Sequence, residues 1–384
     1  YTVSPFIKDL SYNDKIMISP KNTSNQHGNY SLFDWFKLII KFDYNYLKNM
    51  KTSIIKGIGY YVPENIVKNK DLEKIMDTSD EWIQERTGIR ERRWVLEDSD
   101  ESTSSMGTEA AKKAIKNAQI SPDEIDFIIF ATLSPDYFFP GSGVLIQRNL
   151  GLKEVGALDI RNQCSGFIYA LSIADQYIKS GMYKNILIVG SELHSGGLEK
   201  STRGRNVSVI FGDGAGAVII QASDDSGKGI MSTHLHSEGK HAEELAVISP
   251  ATKKWIDKLV EDPNEDGSSY APYMNGNFVF KNAVVRFMEV INEALIKNNL
   301  TKEDINLLIP HQANLRINQF VQKQLSLPDE KVYNNIMKYG NTTAASIPIA
   351  LAEAIEKGKL KEGDILCLAA FGAGFTWGSA LIKW

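Results

Sequence analysis

The chain has few cysteines, no strong excess of charge and no motif typical of a metal site. Only Cys164 and Cys367 occur among its 384 residues, which excludes a disulfide framework and favours a reducing compartment. The CxxC and HExxH patterns are absent and the six histidines are scattered, so no metal site is predicted. With a net charge of −4, bulk electrostatics give no support for nucleic-acid binding.

The first 49 residues lack an apolar run long enough to span a bilayer. Their apolar burst at 32–40 is short, Asp34 and Lys37 interrupt it, and no small-residue cleavage site follows it. We therefore predict a cytoplasmic protein without a membrane span. Because Met50 directly precedes a strand-like run, we interpret residues 1–49 as an N-terminal extension outside the core. The alternative is an amphipathic helix at 32–47 that packs on the body or on a membrane surface.

Strand-like and helix-like runs alternate after this extension, which predicts an α/β fold with buried sheets. The order of the elements suggests two similar halves, 50–222 and 223–384. Between residues 234 and 280 the pattern breaks down, and we predict an excursion loop with a short helix at 253–260. The predicted strands are 54–58, 126–132, 184–189, 215–221, 305–309, 365–370 and 376–383. The predicted helices are 69–76, 104–118, 164–180, 280–297, 312–325 and 343–357.

Cys164 lies where a predicted strand ends and a predicted helix begins. The N-terminus of a helix carries partial positive charge and free N–H groups, and both favour a thiolate. A free cysteine is more often a small core residue. Here Gly166 permits close approach of another group, and the polar Asn162 and Gln163 precede the thiol. Cys367 lies inside an apolar strand, and we interpret it as structural.

His311 and Asn341 are the other candidates for chemistry. Each also has a purely structural explanation. His311 fits a hydrogen-bonded histidine that follows a strand, and Asn341 fits a turn or N-cap residue. Taken with Cys164, however, they suggest nucleophilic acyl chemistry. The glycine-rich runs at 211–217 and 371–375 each lead into another strand rather than a helix. They predict tight turns whose N–H groups form an oxyanion hole, not a phosphate-binding loop.

These motifs occur in an order that resembles one enzyme family. From Met50 to its end, the chain resembles β-ketoacyl-acyl-carrier-protein synthase III, a condensing enzyme of the thiolase superfamily. Any one motif is weak, but the ordered set is specific. The matching stretches are DTSDEWI at 77–83, RTGIR at 86–90, CSGF at 164–167, IFGDGAG at 210–216, PHQANLR at 310–316, GNT at 340–342 and FGAGFTWG at 371–378.

The resemblance implies a thiolase-like, five-layered α/β/α/β/α fold built from two similar halves, and a homodimer. It also implies a decarboxylative Claisen condensation of an acyl-CoA primer with malonyl-acyl carrier protein, which gives 3-oxoacyl-acyl carrier protein. Acyl-CoA and malonyl-acyl carrier protein are then substrates, acyl carrier protein is a partner, and no cofactor is bound permanently.

The resemblance also assigns roles to individual residues. Cys164 is the acylated nucleophile, and His311 with Asn341 stabilises the enolate that decarboxylation produces. The N–H groups of Cys164 and Gly374 form the oxyanion hole, and Phe139 reaches across the dimer to the partner's acyl pocket. The implied contacts to coenzyme A and its pantetheine arm are Thr78, Trp82, Arg86, Arg205, Asn277 and Asn314.

An acidic carrier protein needs a basic patch despite the net negative charge. Arg316 and Lys323 share one predicted helix and are the expected docking residues. Lys281 and Arg286, on another predicted helix, extend this patch.

Two features depart from the usual pattern of the family. Asn162 and Gln163 stand where small residues are common, and the loop at 239–273 is longer than in the housekeeping enzyme. A relative from a specialised pathway, which condenses longer or β-keto acyl units, therefore remains an alternative. A thiolase-fold acyltransferase or hydrolase without condensation is another. A non-catalytic subunit is disfavoured because it has no chemical need for the cysteine, the histidine and the asparagine together.

Overall fold

The strands follow the apolar runs of the sequence closely. The computed structural model describes residues 51–249 and 270–384, so the predicted extension 1–49 and the predicted helix at 253–260 lie outside the described residues. The strands are β1 Thr52–Tyr61, β2 Ile66–Lys68, β3 Glu91–Arg93, β4 Phe127–Ala131, β5 Gly156–Ile160, β6 Asn185–Glu192, β7 Gly214–Ser223, β8 Gly229–Ser237, β9 Leu245–Ala246, β10 Tyr273–Met274, β11 Leu307–Pro310, β12 Ile365–Gly372 and β13 Thr376–Lys383.

Ten α-helices alternate with these strands in the described part of the chain. They are α1 Asn69–Leu72, α2 Asp80–Thr87, α3 Thr103–Ala118, α4 Ser142–Asn149, α5 Gly166–Lys179, α6 Arg205–Ser208, α7 Gly276–Lys297, α8 Leu315–Leu325, α9 Ile336–Tyr339 and α10 Ser346–Glu356.

Two mixed sheets form the frame of the molecule. The first has the strand order β1-β7-β6-β4-β5 and the second the order β11-β12-β13-β8. In the first sheet β4 pairs in parallel with β5 and β6, and in the second β11 pairs in parallel with β12. The carboxyl ends of β5 and β11 lead to Cys164 and His311, respectively.

Helices lie between the two sheets and outside both of them. Helices α5 and α10 fill the space between the sheets, in a core that takes Ile188 from the first sheet and Leu368 from the second. Helices α3 and α4 cover the outer face of the first sheet, and α7 and α8 cover that of the second. Both faces of each sheet are therefore buried, which explains the near-continuous apolar strands. The five-layered α/β/α/β/α prediction is confirmed.

Several helices begin or end away from the predicted positions. The helix predicted at 312–325 begins at Leu315, because the Asn314 side chain accepts the Arg316 N–H and caps it. The helix predicted at 164–180 begins at Gly166, after a 3₁₀ turn at Gln163–Ser165. The helix predicted at 343–357 begins at Ser346, and the one predicted at 69–76 ends at Leu72.

Strand β8 was not predicted, because its sequence was interpreted as the start of the excursion loop. It is the edge strand of the second sheet and pairs with β13. Polar side chains, including His234 and His236, are only partly buried along it, so the apolar signal of a buried strand is missing. The prediction of a loop that begins at His234 was therefore wrong. The His236 Nε2 lies 2.6 Å from the Glu293 Oε2 of α7, and the His234 Nδ1 lies 3.4 Å from the Oε1 of the same residue.

Among the residues that the structure describes, no helix has both the length and the apolar character that crossing a bilayer requires.

Candidate active site

A strained turn presents the Cys164 sulfur at the start of a helix. Strand β5 ends at Ile160, Cys164 lies in the 3₁₀ turn Gln163–Ser165, and α5 follows. Gln163 has a φ of 43°, a left-handed conformation that costs about 1 kcal/mol in a residue other than glycine. Cys164 thus precedes the helix rather than forming part of its first turn, and this residue is 8% exposed.

The end of strand β12 approaches Cys164 closely enough that only glycine fits there. A Cβ added to Gly372 would lie 2.7 Å from the Cys164 Cβ and 3.1 Å from its Sγ. The next residue, Ala373, directs its backbone N–H to the Cys164 sulfur, as does the N–H of Cys164 itself. The resemblance implied the Gly374 N–H as an oxyanion-hole donor, whereas the N–H found at the thiol belongs to Ala373, one residue earlier.

Two hydroxyl groups hold the nucleophile turn against the β12–β13 turn. The Ser165 Oγ lies 2.6 Å from the Thr376 Oγ1, and the Thr376 hydroxyl donates to the carbonyl of Ala373 at 3.1 Å. The Ser165 Oγ also lies 2.9 Å from the Asn162 carbonyl oxygen. These bonds join the two backbone segments whose N–H groups meet at the sulfur.

The expectation of a thiolate in the resting protein was wrong. Burial first, and the charge of nearby Glu192 second, raise the pKa of the Cys164 thiol to about 12. The two N–H groups at the sulfur act in the opposite direction but offset only part of this effect. In the unliganded protein the group is therefore a neutral thiol.

Glu192 is a buried carboxylate that sequence analysis missed. It ends β6, is 0% exposed, and accepts hydrogen bonds from the Thr132 and Ser134 hydroxyls and from the Leu133 N–H. Burial raises its pKa to about 7, although these donors counteract the shift. A carboxylate that ends an otherwise apolar strand is the signal that was available in the sequence.

His311 is a buried, neutral imidazole with one nitrogen free for a ligand. Its Nδ1 lies 2.6 Å from the Ser346 Oγ, which also accepts the Gln312 N–H at 3.3 Å. The Ser346 hydroxyl proton then has the His311 Nδ1 as its acceptor, which assigns the proton of the ring to Nε2. This Nε2 is buried and has no hydrogen-bond partner among the described residues. Because burial lowers the pKa of His311 to about 3, the ring remains neutral at physiological pH.

The Asn341 side chain is oriented by its own turn. Its Oδ1 accepts the Thr343 N–H at 2.8 Å, which leaves the NH₂ group as the available donor. Its backbone bonds the segment before β7, through N–H to the Ile210 carbonyl and from the Gly212 N–H to its own carbonyl. The turn interpretation and the catalytic one are therefore compatible, since the turn sets the direction of the amide.

A second buried histidine, His194, contacts the turn that follows Asn341. The His194 Nε2 lies 2.7 Å from the Thr343 Oγ1, and its ring lies 4.8 Å from that of Phe211. Burial lowers the pKa of His194 to about 3, so the ring carries no charge there. His194 was assigned no role from sequence, and the sequence gives no signal for this contact.

Cys164, His311 and Asn341 line one cavity of about 680 Å³. The cavity continues from these buried residues to the exposed side chains of Arg86 and Arg316. Across the described ranges 51–249 and 270–384, no three His, Cys, Asp or Glu side chains are grouped to hold a metal ion. The cavity suits an elongated substrate whose reacting end meets the thiol.

Trp82, Arg86 and Arg205 form a compact group, here called the Trp82 cluster. The guanidinium of Arg86 lies 4.4 Å from the Trp82 ring centroid and that of Arg205 lies 5.3 Å from it. An aromatic base between Trp82 and Arg205 needs about 7 Å, twice a van der Waals contact, so Arg205 must move to admit one. Arg205 pairs with the Asp77 carboxylate, and the buried Thr78 Oγ1 has no hydrogen-bond partner within 51–249 and 270–384.

The two asparagines expected at the pantetheine arm both line the cavity but differ in their freedom. Asn277 is exposed, in the first turn of α7. Both polar atoms of the Asn314 amide are bonded, since its Nδ2 donates to the Arg86 carbonyl at 2.9 Å and its Oδ1 accepts the Arg316 N–H. Asn314 therefore joins α8 to α2 in the unliganded protein.

The remaining predicted residues lie on the surface. Phe139 is 81% exposed and lies beside Phe138, which is 63% exposed. Arg316 and Lys323 are exposed on α8, and no carboxylate of the described residues forms an ion pair with either. Arg286 is different, because Glu238 and Glu289 both pair with it. It is therefore not a free member of the basic patch.

Comparison with known families gives two matches along the chain. The family model described as 3-oxoacyl-[acyl-carrier-protein (ACP)] synthase III matches residues 158–239. The model for the C-terminal part of the same enzyme matches residues 295–384.

Individual relatives match nearly the whole described chain. A β-ketoacyl-[acyl-carrier-protein] synthase III from Aquifex aeolicus is 46% identical over 335 residues, which cover 87% of this chain and 100% of that protein. The protein of the same name from Caldanaerobacter subterraneus subsp. tengcongensis is 45% identical, with 86% and 97% covered.

Solved structures show the same similarity. The crystal structure of 3-oxoacyl-[acyl-carrier-protein] synthase III from A. aeolicus matches with a TM-score of 0.78 and 45% identity, covering 86% of this chain and 100% of that one. A priming β-ketosynthase from a polyketide biosynthetic pathway matches with a TM-score of 0.78 and 33% identity, covering 87% and 97%.

Proposed function

This chain belongs to the β-ketoacyl-acyl-carrier-protein synthase III family, and we propose that it carries the acyl group of its primer on Cys164. It is an acyltransferase that condenses an acyl thioester with malonyl-acyl carrier protein to give 3-oxoacyl-acyl carrier protein. The proposal rests on one observation. The Cys164 thiol, the His311 Nε2, which has no hydrogen-bond partner among the described residues, and the oriented Asn341 carboxamide all line the same cavity. The proposed primer is an acyl-CoA.

The first half-reaction loads the cysteine. The Cys164 sulfur attacks the carbonyl carbon of acyl-CoA, the carbon–sulfur bond to coenzyme A breaks, and coenzyme A leaves with the proton of the thiol. The N–H groups of Cys164 and Ala373 converge at the sulfur and donate to the oxyanion of the tetrahedral intermediate. Attack on the thioester therefore begins from a thiol and needs no permanently bound cofactor.

The second half-reaction forms the new carbon–carbon bond. The malonyl group loses CO₂, and the negative charge that develops on its thioester oxygen is stabilised by the His311 Nε2–H and the Asn341 NH₂. Both donors are neutral and buried, so no solvent reorganisation is needed as the charge develops. The enolate carbon then attacks the acyl carbonyl, and the bond from that carbonyl to the Cys164 sulfur breaks. Cys164 leaves as a thiolate, which takes up a proton from water to restore the thiol.

The identity of the primer is tested by mass spectrometry after exposure to a panel of acyl-CoAs. We expect one acyl adduct on the peptide that contains Cys164 and none on Cys367, which is 0% exposed in the outer core of the second sheet. An adduct of a longer or β-keto acyl group alone would support the specialised-pathway alternative, which the similarity to the priming β-ketosynthase also favours. No adduct on Cys164 with any member would contradict the proposal.

We propose that acyl carrier protein docks beside the cavity at Arg316 and Lys323. Arg316 lines the cavity and lies over the Phe280 ring, 6.0 Å from its centroid, and both cations are exposed on α8. The phosphopantetheine arm of a docked carrier then enters the cavity directly. An acidic partner is attracted by these charges, and salt weakens the attraction.

The docking proposal predicts a salt-dependent effect of Arg316→Glu. We expect the KM for malonyl-acyl carrier protein to rise about tenfold at low salt, because one attraction becomes a repulsion. The difference in this KM between Arg316→Glu and the unchanged protein becomes smaller as NaCl is added. Lys116→Glu, with the same charge change on the exposed face of α3, is the matched control and leaves the KM unchanged. A KM indifferent to both salt and Arg316→Glu means that the carrier docks elsewhere.

We also propose a homodimer that works in the cytoplasm. Strand β5 is the edge strand of the first sheet, and the nearby aromatic side chains of Tyr137, Phe138 and Phe139 are all more than half exposed. An unpaired strand edge beside exposed aromatic groups supports contact with a second copy, in which Phe139 reaches the partner's acyl pocket. The two free cysteines support a reducing compartment.

A further inference from the structure

Arg92, in β3, is a fully buried arginine whose described contacts are all to neutral oxygens. Its Nη1 donates to the Asn69 Oδ1 at 2.8 Å and the Val67 carbonyl at 3.3 Å, and its Nη2 donates to the Val209 carbonyl at 2.7 Å. Its Nε has no hydrogen-bond partner in the part of the chain that the structure describes. Burial without a directly bound carboxylate lowers the pKa of Arg92 to about 10. Burial of a charged group is costly unless its hydrogen bonds are satisfied, and the bonds of this guanidinium hold two separate segments together.

One of these segments is helix α2, which Asn69 connects to Arg92. The Asn69 Nδ2 donates to the Asp80 Oδ1 at 2.7 Å and to the Ile89 carbonyl at 2.8 Å. Asp80 is the first residue of α2, and Ile89 lies two residues beyond its end. The Asn69 amide therefore holds α2 at both ends, and the Asp80 carboxylate balances the buried charge through this amide.

The other segment is helix α6. Val209, whose carbonyl accepts the Arg92 Nη2–H, is the C-cap residue of α6, and Arg205 is the first residue of that helix. Helix α2 carries Trp82 and Arg86. One buried guanidinium thus joins the two helices that carry all three members of the Trp82 cluster.

We propose that Arg92 and Asn69 are positioning residues for coenzyme A. They fix the separation of α2 and α6, so that the Arg205 side chain can leave Trp82 and close again on an adenine ring while the helix backbones stay in place. The proposal rests on the proposed function, in which the Trp82 cluster binds the nucleotide part of coenzyme A.

Arg92 also packs against the Asn341 turn, whereas the described hydrogen bonds of the Asn69 side chain go only to Asp80, Ile89 and Arg92. A Cβ added to Gly340 would lie 3.3 Å from the Arg92 Cβ, so a change at Arg92 also disturbs the residue before Asn341. Asn69→Ala is therefore the main variant, and Arg92→Lys the second. A lysine has one ammonium group in place of the planar fork and cannot hold both helices at once.

The experiment measures the affinity for coenzyme A by titration calorimetry, with the full chain. We expect Asn69→Ala to weaken binding about tenfold, the effect of losing buried hydrogen bonds. In Asn69→Ala, the rate at which iodoacetamide alkylates Cys164 stays within about twofold of the rate in the unchanged protein, because Asn69 does not contact the turn that carries Cys164. Asn298→Ala is the matched control, since this amide also donates two hydrogen bonds but at the C-terminal end of α7, and it leaves the affinity unchanged.

A double-mutant cycle with Trp82→Ala separates positioning from general destabilisation. If Asn69 acts through the Trp82 cluster, Asn69→Ala weakens binding much less in the Trp82→Ala background than in the unchanged protein. Equal losses in both backgrounds, or unchanged affinity in Asn69→Ala alone, would overturn the proposal. Unchanged affinity in Trp82→Ala alone would instead show that the cluster is not the nucleotide site, which removes that part of the proposed function as well.

Discussion

We expect the Cys164→Gln variant to release CO₂ from malonyl-acyl carrier protein while it forms no 3-oxoacyl product. Condensation requires the sulfur as the carrier of the primer, so its rate falls by about 10⁴-fold or more. Decarboxylation requires the His311 and Asn341 donors, which the substitution leaves in place. The glutamine amide also resembles the acylated cysteine, because its carbonyl oxygen can accept the N–H groups of residue 164 and of Ala373.

The measurement follows CO₂ release and 3-oxoacyl formation in the same sample. Cys367→Ala is the matched control, because that thiol faces the outer core of the second sheet and does not line the cavity. We expect Cys367→Ala to keep the rates of both reactions within about twofold of those of the unchanged protein, since the substitution is small and lies outside the cavity. Loss of CO₂ release together with condensation in Cys164→Gln would favour the alternative of an acyltransferase that does not condense.

The strands were predictable because both sheets are buried on two faces. A strand with apolar neighbours on each side is apolar at nearly every position, so its run is visible in the sequence, as at Ile365–Gly372. Strand β8 escaped detection for the converse reason. It lies at the edge of its sheet and carries polar residues such as His234 and His236, so its sequence resembles that of a loop.

The helix starts nearest to the site were the least predictable. Gln163 and Thr343 both adopt left-handed backbone conformations although neither is glycine, and each lies in the 3₁₀ turn before a helix of the central layer. Local sequence gives no reason to expect these conformations, because tertiary contacts impose them. The predicted helices therefore began too early at both turns. The same turns set the directions of the Cys164 sulfur and the Asn341 amide.

The protonation state of the thiol shows a different limit of sequence analysis. The junction of a strand and a helix at Cys164 was visible, and with it the expected helix dipole. The depth of burial and the carboxylate of Glu192 come from segments distant in sequence, and they raise the pKa of the thiol. Desolvation depends on everything packed around a group, so it could not be read from the residues beside Cys164.

The second large effect is expected from the two donors of the decarboxylation step. We expect His311→Ala and Asn341→Ala each to lower the rate of CO₂ release from malonyl-acyl carrier protein by about 10²- to 10³-fold, the usual effect of removing one preorganised donor. Asn341→Asp should lower it further, because a carboxylate in place of the NH₂ group repels the enolate oxygen. Acylation of Cys164 by acyl-CoA should fall much less, since backbone N–H groups stabilise that intermediate.

The pH dependence of CO₂ release tests the neutral state of His311 directly. Because burial lowers the pKa of His311 to about 3, the ring is neutral and its Nε2–H is a donor throughout the range from roughly pH 5 to 8. We therefore expect no inflection from this histidine near its ordinary pKa, either in the unchanged protein or in Cys164→Gln. Ser346→Ala removes the hydroxyl that fixes the tautomer and should slow CO₂ release about tenfold, because the proton is then free to move to Nδ1. An inflection near pH 6.5 that disappears in His311→Ala would show instead that the imidazole acts as a titrating acid or base.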